Sequence, residues 1–331
     1  MTSIIARTAV GRWRESDPAF GRVMRPPEQV RERAYSEVVS VAIGLVGAGQ
    51  RASGVHAPSL AAAPGVRFAG IWARSSAAAQ SLAGRFGVPA YERYADLLDH
   101  CDGVSFAVPP LVQVDLASAA AMRRKAVLLE KPIAGDLTGA EELSNAVLSS
   151  GVISQVALTW RYTSAVRRFL TVSVPRTRPQ GGNGRIITDT FTAGPPAAGW
   201  RLERGVLLDQ GPDLVDLLDA ALGHIVGVRA HGDPLGWVGL LLEHEGGRFS
   251  EASICATAKD GTNRAEVEVF GPGGAAAVDC AAAVGPDTFA TMVAEFSAAI
   301  EHGTPHHLDA RRGLRLQQIL DNAETDLFQS A

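Results

Sequence analysis

The chain is poor in cysteine and poorer still in lysine. Its 331 residues hold three cysteines, Cys101, Cys255 and Cys280, widely separated and with no C-x-x-C pair. An odd, scattered set excludes a disulfide framework and fits reduced thiols in a cytoplasmic protein. Lysine occurs only as Lys125, Lys131 and Lys259, against 28 arginines. That bias fits a GC-rich genome, and it singles out each lysine, because lysine can be deprotonated in a protein and arginine cannot. No run of about 18 uninterrupted apolar residues occurs, so no membrane span is expected. The net charge of −4 argues against a nucleic-acid surface. The histidines His302, His306 and His307 lack a coherent carboxylate partner in sequence, and no metal site is expected.

What is present is ordinary in amount and ordered in arrangement. Hydrophobic residues make up 46% of the chain and charged ones 20%, enough for a sizeable core and two domains. Residues 1–39 are arginine-rich, contain Pro26-Pro27, and read as an N-terminal arm outside the core. From 40 to 160, short apolar runs alternate with helical stretches of about 10–13 residues, the pattern of a parallel sheet with crossover helices. From 161 to 331 the pattern changes. Arg185–Thr192, Ile225–His231, Trp237–His244, Arg248–Ala258, Ala265–Phe270 and Ala275–Asp279 read as strands, mostly consecutive and joined by glycine-containing turns. Gly181–Gly184 reads as a loop, and 206–222, 286–302 and 309–326 as helices. The fold class predicted is α/β: an N-terminal dinucleotide-binding domain plus a C-terminal α+β domain with a largely antiparallel open sheet.

The first unit, SVAIGLVGAGQRA at 40–52, carries the chemistry. An apolar strand runs into Gly47-Ala-Gly49 and then a helix. Two glycines there let backbone approach a pyrophosphate at a helix N-terminus, with Gln50 and Arg51 beside it, and Ala52 is admissible where a third glycine often stands. Ligands of parallel sheets lie beyond the carboxyl ends of the strands. Pro109-Pro110, Glu130-Lys131 and Trp160-Arg161 fall at those ends and are expected to line one crevice with the Gly47 turn. The second strand ends Trp72-Ala-Arg-Ser75 without a carboxylate. Arg74 and Ser75 can hold a ribose 2′-phosphate, which favours NADP(H) over NAD(H). Arg74 as a plain solvated charge is the other reading. In 206–222, Asp209 and Asp213 are i and i+4 and face the same way, while Pro212 is expected to mark a first turn or a kink. Two solvated helix carboxylates are the lesser reading, because this helix is expected to line the cleft.

At this point the chain resembles the glucose-fructose oxidoreductase/inositol dehydrogenase (Gfo/Idh/MocA) family. The matching pieces are IGLVGAGQRA, DGVSFAVPP, the EKP triplet at 130–132, TWRY at 159–162, GWR at 199–201, GVLLDQGPDLVDLL at 205–218 and the segment from DTFATMVAEF onward. The resemblance covers about residues 40–327. It implies hydride transfer between a nicotinamide and a sugar, cyclitol or related alcohol or ketone. It also sets Glu130 and Lys131 beside the nicotinamide, with Lys131 at the reacting oxygen as general acid or oxyanion stabiliser. Burial is expected to lower the lysine pKa towards the working range. Trp160 and Arg161 match a segment near nicotinamide and substrate, and Trp200-Arg201 lies in a loop placed to cover the substrate. The family pattern on the helix is D-x-x-x-H; Asp209 matches and Asp213 stands in place of the histidine.

That departure keeps three functions open. The first is an NADP(H)-dependent oxidoreductase in which Lys131, Asp209 and Asp213 serve the substrate. The second is a non-catalytic dinucleotide-binding regulator. The third is an enzyme that cycles oxidation, elimination and reduction on a retained cofactor. Substrate specificity is expected in 193–204, 230–237 and the first turn of 206–222. His56 reads as a packing residue, and Gln113 stands in a neighbourhood where the family often has histidine. The open face of the second sheet has no helix layer to cover it fully, so a homodimer or homotetramer through that sheet is expected.

Overall fold

The computed structural model describes residues 40–192, 199–259 and 262–329. The arm expected at 1–39 and residues 193–198 of the expected specificity loop lie outside them. Strands β1 (Val41–Val46), β2 (Val66–Trp72), β3 (Gly103–Phe106), β4 (Ala126–Leu129) and β5 (Ser154–Val156) form one parallel sheet in the order β2-β1-β3-β4-β5. Every residue of β1, β3 and β4 is buried, as expected where helices cover both faces. Those helices are α1 (Ala57–Ala62), α2 (Ser76–Phe86), α3 (Tyr94–Asp99), α4 (Pro110–Met122) and α5 (Leu137–Ser150), with a π-turn at Ala52–His56 leading into α1. Ser75 caps α2 by accepting from the Ala78 N–H at 3.3 Å, and Asp136 caps α5 by accepting from the Gly139 N–H at 2.8 Å. The sheet order reverses at β1, which opens a crevice beyond the ends of β1 and β3.

The rest of the chain builds a second sheet. The remaining helices are α6 (Ser164–Arg168), α7 (Val174–Thr177), α8 (Gly199–Leu222), α9 (Cys280–Ala283), α10 (Pro286–His302) and α11 (Ala310–Gln329). Strands β6 (Gly181–Thr188), β7 (Ile225–Gly232), β8 (Trp237–His244), β9 (Arg248–Cys255), β10 (Asn263–Gly271) and β11 (Gly274–Asp279) pair in the order β11-β10-β6-β9-β8-β7. All neighbours are antiparallel except β6 and β9. Helix α8 lies on one face of this sheet and is buried on all sides from Gly205 to Asp219. No described helix is long and apolar enough to cross a membrane.

Two expectations fail for packing reasons. Gly181–Gly184 is strand, not loop. A side chain at Gly184 would stand 2.6 Å from Leu214 of α8, so the missing Cβ lets the helix lie flush on β6. The break in α8 falls at Gly205 (φ +75°), not at Pro212. A Cβ at Gly205 would approach the Pro234 carbonyl oxygen to 2.5 Å, and the Val206 N–H donates to that same oxygen at 2.8 Å. The turn at 230–237 therefore pins the start of the long part of α8 and sets which of its faces meets the parallel sheet.

Candidate active site

A cleft of about 670 Å³ opens where the ends of the parallel strands face α8. Gly49, Gln50, Arg51, Pro109, Glu130, Lys131, Trp160, Trp200, Arg201, Asp209 and Asp213 all line it. Gly47 shapes it from behind. Its φ of +118° and the 2.3 Å that would separate a Cβ from the Ala107 carbonyl oxygen admit only glycine. At Gly49 a Cβ would meet nothing within 4 Å, so the backbone there is bare towards the cleft. The Ser53 N–H donates to the Gly49 carbonyl at 2.9 Å, which starts the helix at the cleft edge. A bare glycine at a helix N-terminus fits the diphosphate of a dinucleotide.

The parallel-sheet wall is locked by hydrogen bonds. Gln113 on α4 takes hold of the Glu130-Lys131-Pro132 loop. Its Nε2 donates to the carbonyls of Glu130 (2.9 Å) and Ile133 (3.0 Å), and its Oε1 accepts from the Glu130 N–H at 2.9 Å. The Glu130 carboxylate then accepts from Arg51 Nε at 2.5 Å and sits 2.8 Å from His56 Nε2. The other ring nitrogen of His56 is 2.7 Å from Ser105 Oγ. Burial pushes the Glu130 carboxyl up, but Arg51 and His56 outweigh it and hold the pKa down at about 2. His56 thus does more than pack.

The opposite wall is α8. Lys131 Nζ reaches across to Asp213 Oδ2 at 2.9 Å and donates to the Asp209 carbonyl oxygen at 2.8 Å. Asp209 accepts from Arg201 Nε at 2.9 Å, and the Arg201 guanidinium lies over the Trp200 ring. Both carboxylates are buried, which removes the reading of two solvated helix residues. Asp213 Oδ1 is buried without a hydrogen-bond partner. The expectation of a depressed lysine pKa is overturned. Burial does pull it down, but Asp213, Asp209 and Glu130 together raise it above the ordinary value. The group moved towards the working range is Asp213, raised by burial that the Lys131 charge only partly offsets.

Three expected residues lie apart from the cleft lining. Arg161 turns away and pairs with Asp216 at 2.9 Å, in a buried lattice where Arg312 holds Asp216 (2.7 Å) and Asp219 (2.5 Å). Arg74 is exposed at the end of β2, and the Ser75 hydroxyl is engaged as the α2 cap. Sequence reasoning missed the clamp by Gln113 and the bond from His56 to Glu130. Their signal is a polar side chain at a position where helical periodicity calls for an apolar one. Among the described residues no group of three or more His, Cys, Asp or Glu side chains is arranged to hold a metal ion.

Comparison with known proteins agrees with this geometry. Residues 41–158 match the profile of the Gfo/Idh/MocA oxidoreductase family with an NAD-binding Rossmann fold. A dTDP-3,4-didehydro-2,6-dideoxy-alpha-D-glucose 3-reductase of Streptomyces antibioticus is 32% identical over 112 residues, 33% of this chain and 34% of the relative. A glucose-6-phosphate 3-dehydrogenase of Bacillus subtilis (strain 168) is 29% identical over 124 residues, 38% of this chain and 35% of the relative. Each match spans about a third of the relative's length. Over the whole fold, the crystal structure of GenD2 from gentamicin A biosynthesis, in complex with NAD, superposes with a TM-score of 0.78 at 20% identity, covering 94% of this chain and 98% of the other. A bare glycine turn, the Glu130-Lys131-Pro132 loop facing it and the profile match meet in one stretch, residues 41–158, over which this chain is similar to the Gfo/Idh/MocA oxidoreductase family.

Proposed function

We propose that the protein is an NAD(P)-dependent oxidoreductase interconverting a secondary alcohol and a ketone on a sugar, cyclitol or related ring. The observation that carries this reading is the buried Lys131–Asp213 contact at 2.9 Å, set in a cleft whose other end is a bare glycine turn. Gly49, Gln50, Arg51, Pro109 and Glu130 would hold the dinucleotide, which when bound would take up or return the hydride. The chain's own residues manage the oxygen. The Lys131 ammonium has three donors, of which Asp213 and the Asp209 carbonyl engage two, leaving one for the substrate oxygen. Because its pKa is raised, Lys131 serves as a permanent cation that stabilises alkoxide character. The Asp213 carboxylate, which lines the cleft beside Lys131, takes the alcohol proton in oxidation and returns it in reduction, the role of a general base and acid. Asp209, held by Arg201, orients the covering segment that carries Trp200.

NADP(H) is the proposed cofactor, supported by the exposed Arg74 and the lack of a carboxylate from Trp72 to Ser76. Assembly as a homodimer or homotetramer is supported by Trp237, Leu241, Phe249 and Phe270, exposed on one face of the second sheet, and light scattering at micromolar concentration checks it. The function is tested by two measurements on purified protein. NADPH and, more weakly, NADH are expected to raise the melting temperature. Polyols and cyclic ketones are then screened for a change in nicotinamide absorbance. No stabilisation by either dinucleotide overturns the reading, and stabilisation without turnover of any ring assigns a regulator instead.

A further inference from the structure

Lys131 sits on a short arc, Glu130-Lys131-Pro132-Ile133, that leaves the end of β4. Along β4 the backbone groups alternate between its two neighbours. The Ala126 N–H donates to the Asp102 carbonyl on the β3 side, and the Val127 N–H to the Ile153 carbonyl on the β5 side. With a period of two, the N–H and carbonyl of Glu130 face the β3 side. No strand meets them there, because β3 ends at Phe106 and the chain turns through Pro109 into α4. Buried backbone groups at such a point need partners from elsewhere.

Gln113, near the start of α4, stands in that gap and is fully buried. Its Oε1 accepts from the Glu130 N–H at 2.9 Å, and its Nε2 donates to the Glu130 carbonyl at 2.9 Å. One amide thus does for Glu130 what a longer β3 would do. Nε2 also donates to the Ile133 carbonyl at 3.0 Å, so both ends of the arc are tied to one side chain. Ile133 is itself buried against Gly313 of α11, where a Cβ would stand 2.6 Å from its Cγ2. A primary amide carries two donors beside an acceptor, which matches two carbonyls and one N–H; methionine has its length and none of its bonds. From this arc Lys131 reaches Asp213 Oδ2 at 2.9 Å and the Asp209 carbonyl at 2.8 Å. Its stem is flexible, so where the ammonium lands depends on where the arc holds the backbone.

We propose that Gln113 is a positioning residue: by tying Glu130 and Ile133 to α4 it fixes the backbone of Lys131 so that the ammonium meets Asp213 and the Asp209 carbonyl. Gln113 does not line the cleft and acts only through Lys131. The placement stands on these contacts alone, while its effect on turnover rests on the oxidoreductase reading above.

The chain has three lysines, which makes the placement measurable without a substrate. Trace acetylation of the full chain with acetic anhydride, read by mass spectrometry, compares them. Lys131 is held by Asp213 and the Asp209 carbonyl, Lys125 is half-buried and donates to the Cys101 carbonyl at 2.8 Å, and Lys259 is exposed. In Gln113→Met the Lys131:Lys259 labelling ratio is expected to rise about tenfold over wild type, as a charge-assisted contact is lost, with Lys125:Lys259 unchanged. With the dinucleotide and a ring found by the screen above, kcat is expected to fall about 10²-fold, the cost of a displaced catalytic group, while the dinucleotide melting shift persists. An unchanged Lys131 ratio overturns the proposal. So does a rise shared by Lys125, which marks general loosening rather than a displaced lysine. Wild-type turnover beside a raised Lys131 ratio overturns the catalytic half. If neither dinucleotide stabilises wild type, the oxidoreductase reading fails, and the labelling ratios still decide the placement. If Gln113→Met does not fold, amide hydrogen exchange of wild type decides instead. The Glu130 N–H is expected to be protected to within about tenfold of Val127 in β4, and exchange at the rate of an open loop overturns the proposal.

Discussion

The two walls of the cleft each present a buried carboxylate, and they treat it in opposite ways. Glu130, on the parallel-sheet wall, has its backbone clamped by Gln113 and its carboxylate shared between Arg51 and His56, and its pKa is held at about 2. Asp213, on α8, has only Lys131, keeps one oxygen unpaired, and has its pKa raised by burial. The difference lies in the number of partners rather than in depth, since both residues are 9% exposed. A carboxylate with several donors is held as a fixed charge, and one buried with a single cation is held less firmly in its charged form. The sheet wall holds its carboxylate on several donors, and the α8 wall holds its own on one cation, the contrast on which the proposed proton transfer rests.

Removing the residue that joins the walls is expected to have the largest effect. Lys131→Ala deletes the cation at the substrate oxygen and leaves Asp213 buried without a partner. It is expected to lower kcat about 10³-fold with little change in dinucleotide KM, measured by steady-state kinetics. Turnover near the wild-type level would refute the role given to Lys131. Asp213→Asn keeps shape and removes the proton acceptor, so oxidation is expected to slow about 10²-fold. In wild type the oxidation rate should rise with pH through an apparent pKa above the ordinary carboxylate range, and this limb should vanish in Asp213→Asn. A limb that survives belongs to another group and breaks the contrast.

The sheet wall is probed by acid rather than by turnover. Glu130 has a folded pKa of about 2 against an ordinary 4.5, so its contribution to stability is fully present above about pH 4.5 and is lost as pH falls through about 2. The full contribution is on the order of 3 kcal/mol. Glu295, also held at about 2 and paired with Arg167 and His306, adds a loss of the same sign. Urea denaturation at stepped pH should therefore show Glu130→Gln less acid-sensitive than wild type between pH 4.5 and 2, with the Glu295 share remaining. Equal slopes would mean that Glu130 is not held as described. The smallest effect is expected at the far end of this wall. Arg74→Ala should reduce any preference for NADPH over NADH about tenfold, read from paired melting shifts.

The sheet wall was largely legible in the sequence because each of its parts is local. Gly47-Ala-Gly49 follows a strand, Pro109 and Glu130-Lys131 end two others, and short periodic segments carry their own positions into the fold. Asp209 and Asp213 were legible as a pair through their i, i+4 spacing. The state of those residues was not legible. Nothing between Glu130 and Lys131 in the chain shows that Arg51 and His56 will take one and Asp213 the other, since those partners lie between 74 and 82 positions away. Arg161 was misplaced because its strand-end position said where its backbone would be, but not that Asp216 would draw the side chain away.

By itself the sequence determined the alternation of elements, the glycine turn and the choice of Lys131, Asp209 and Asp213 as candidate site residues, because strand and helix periods and φ-restricted glycines act over a few residues. The tertiary structure alone decided which carboxylate is held by several donors and which by one cation, and which arginine turns out of the cleft. Desolvation and ion pairing act across space between segments far apart in the chain, and they take their values only once those segments are packed.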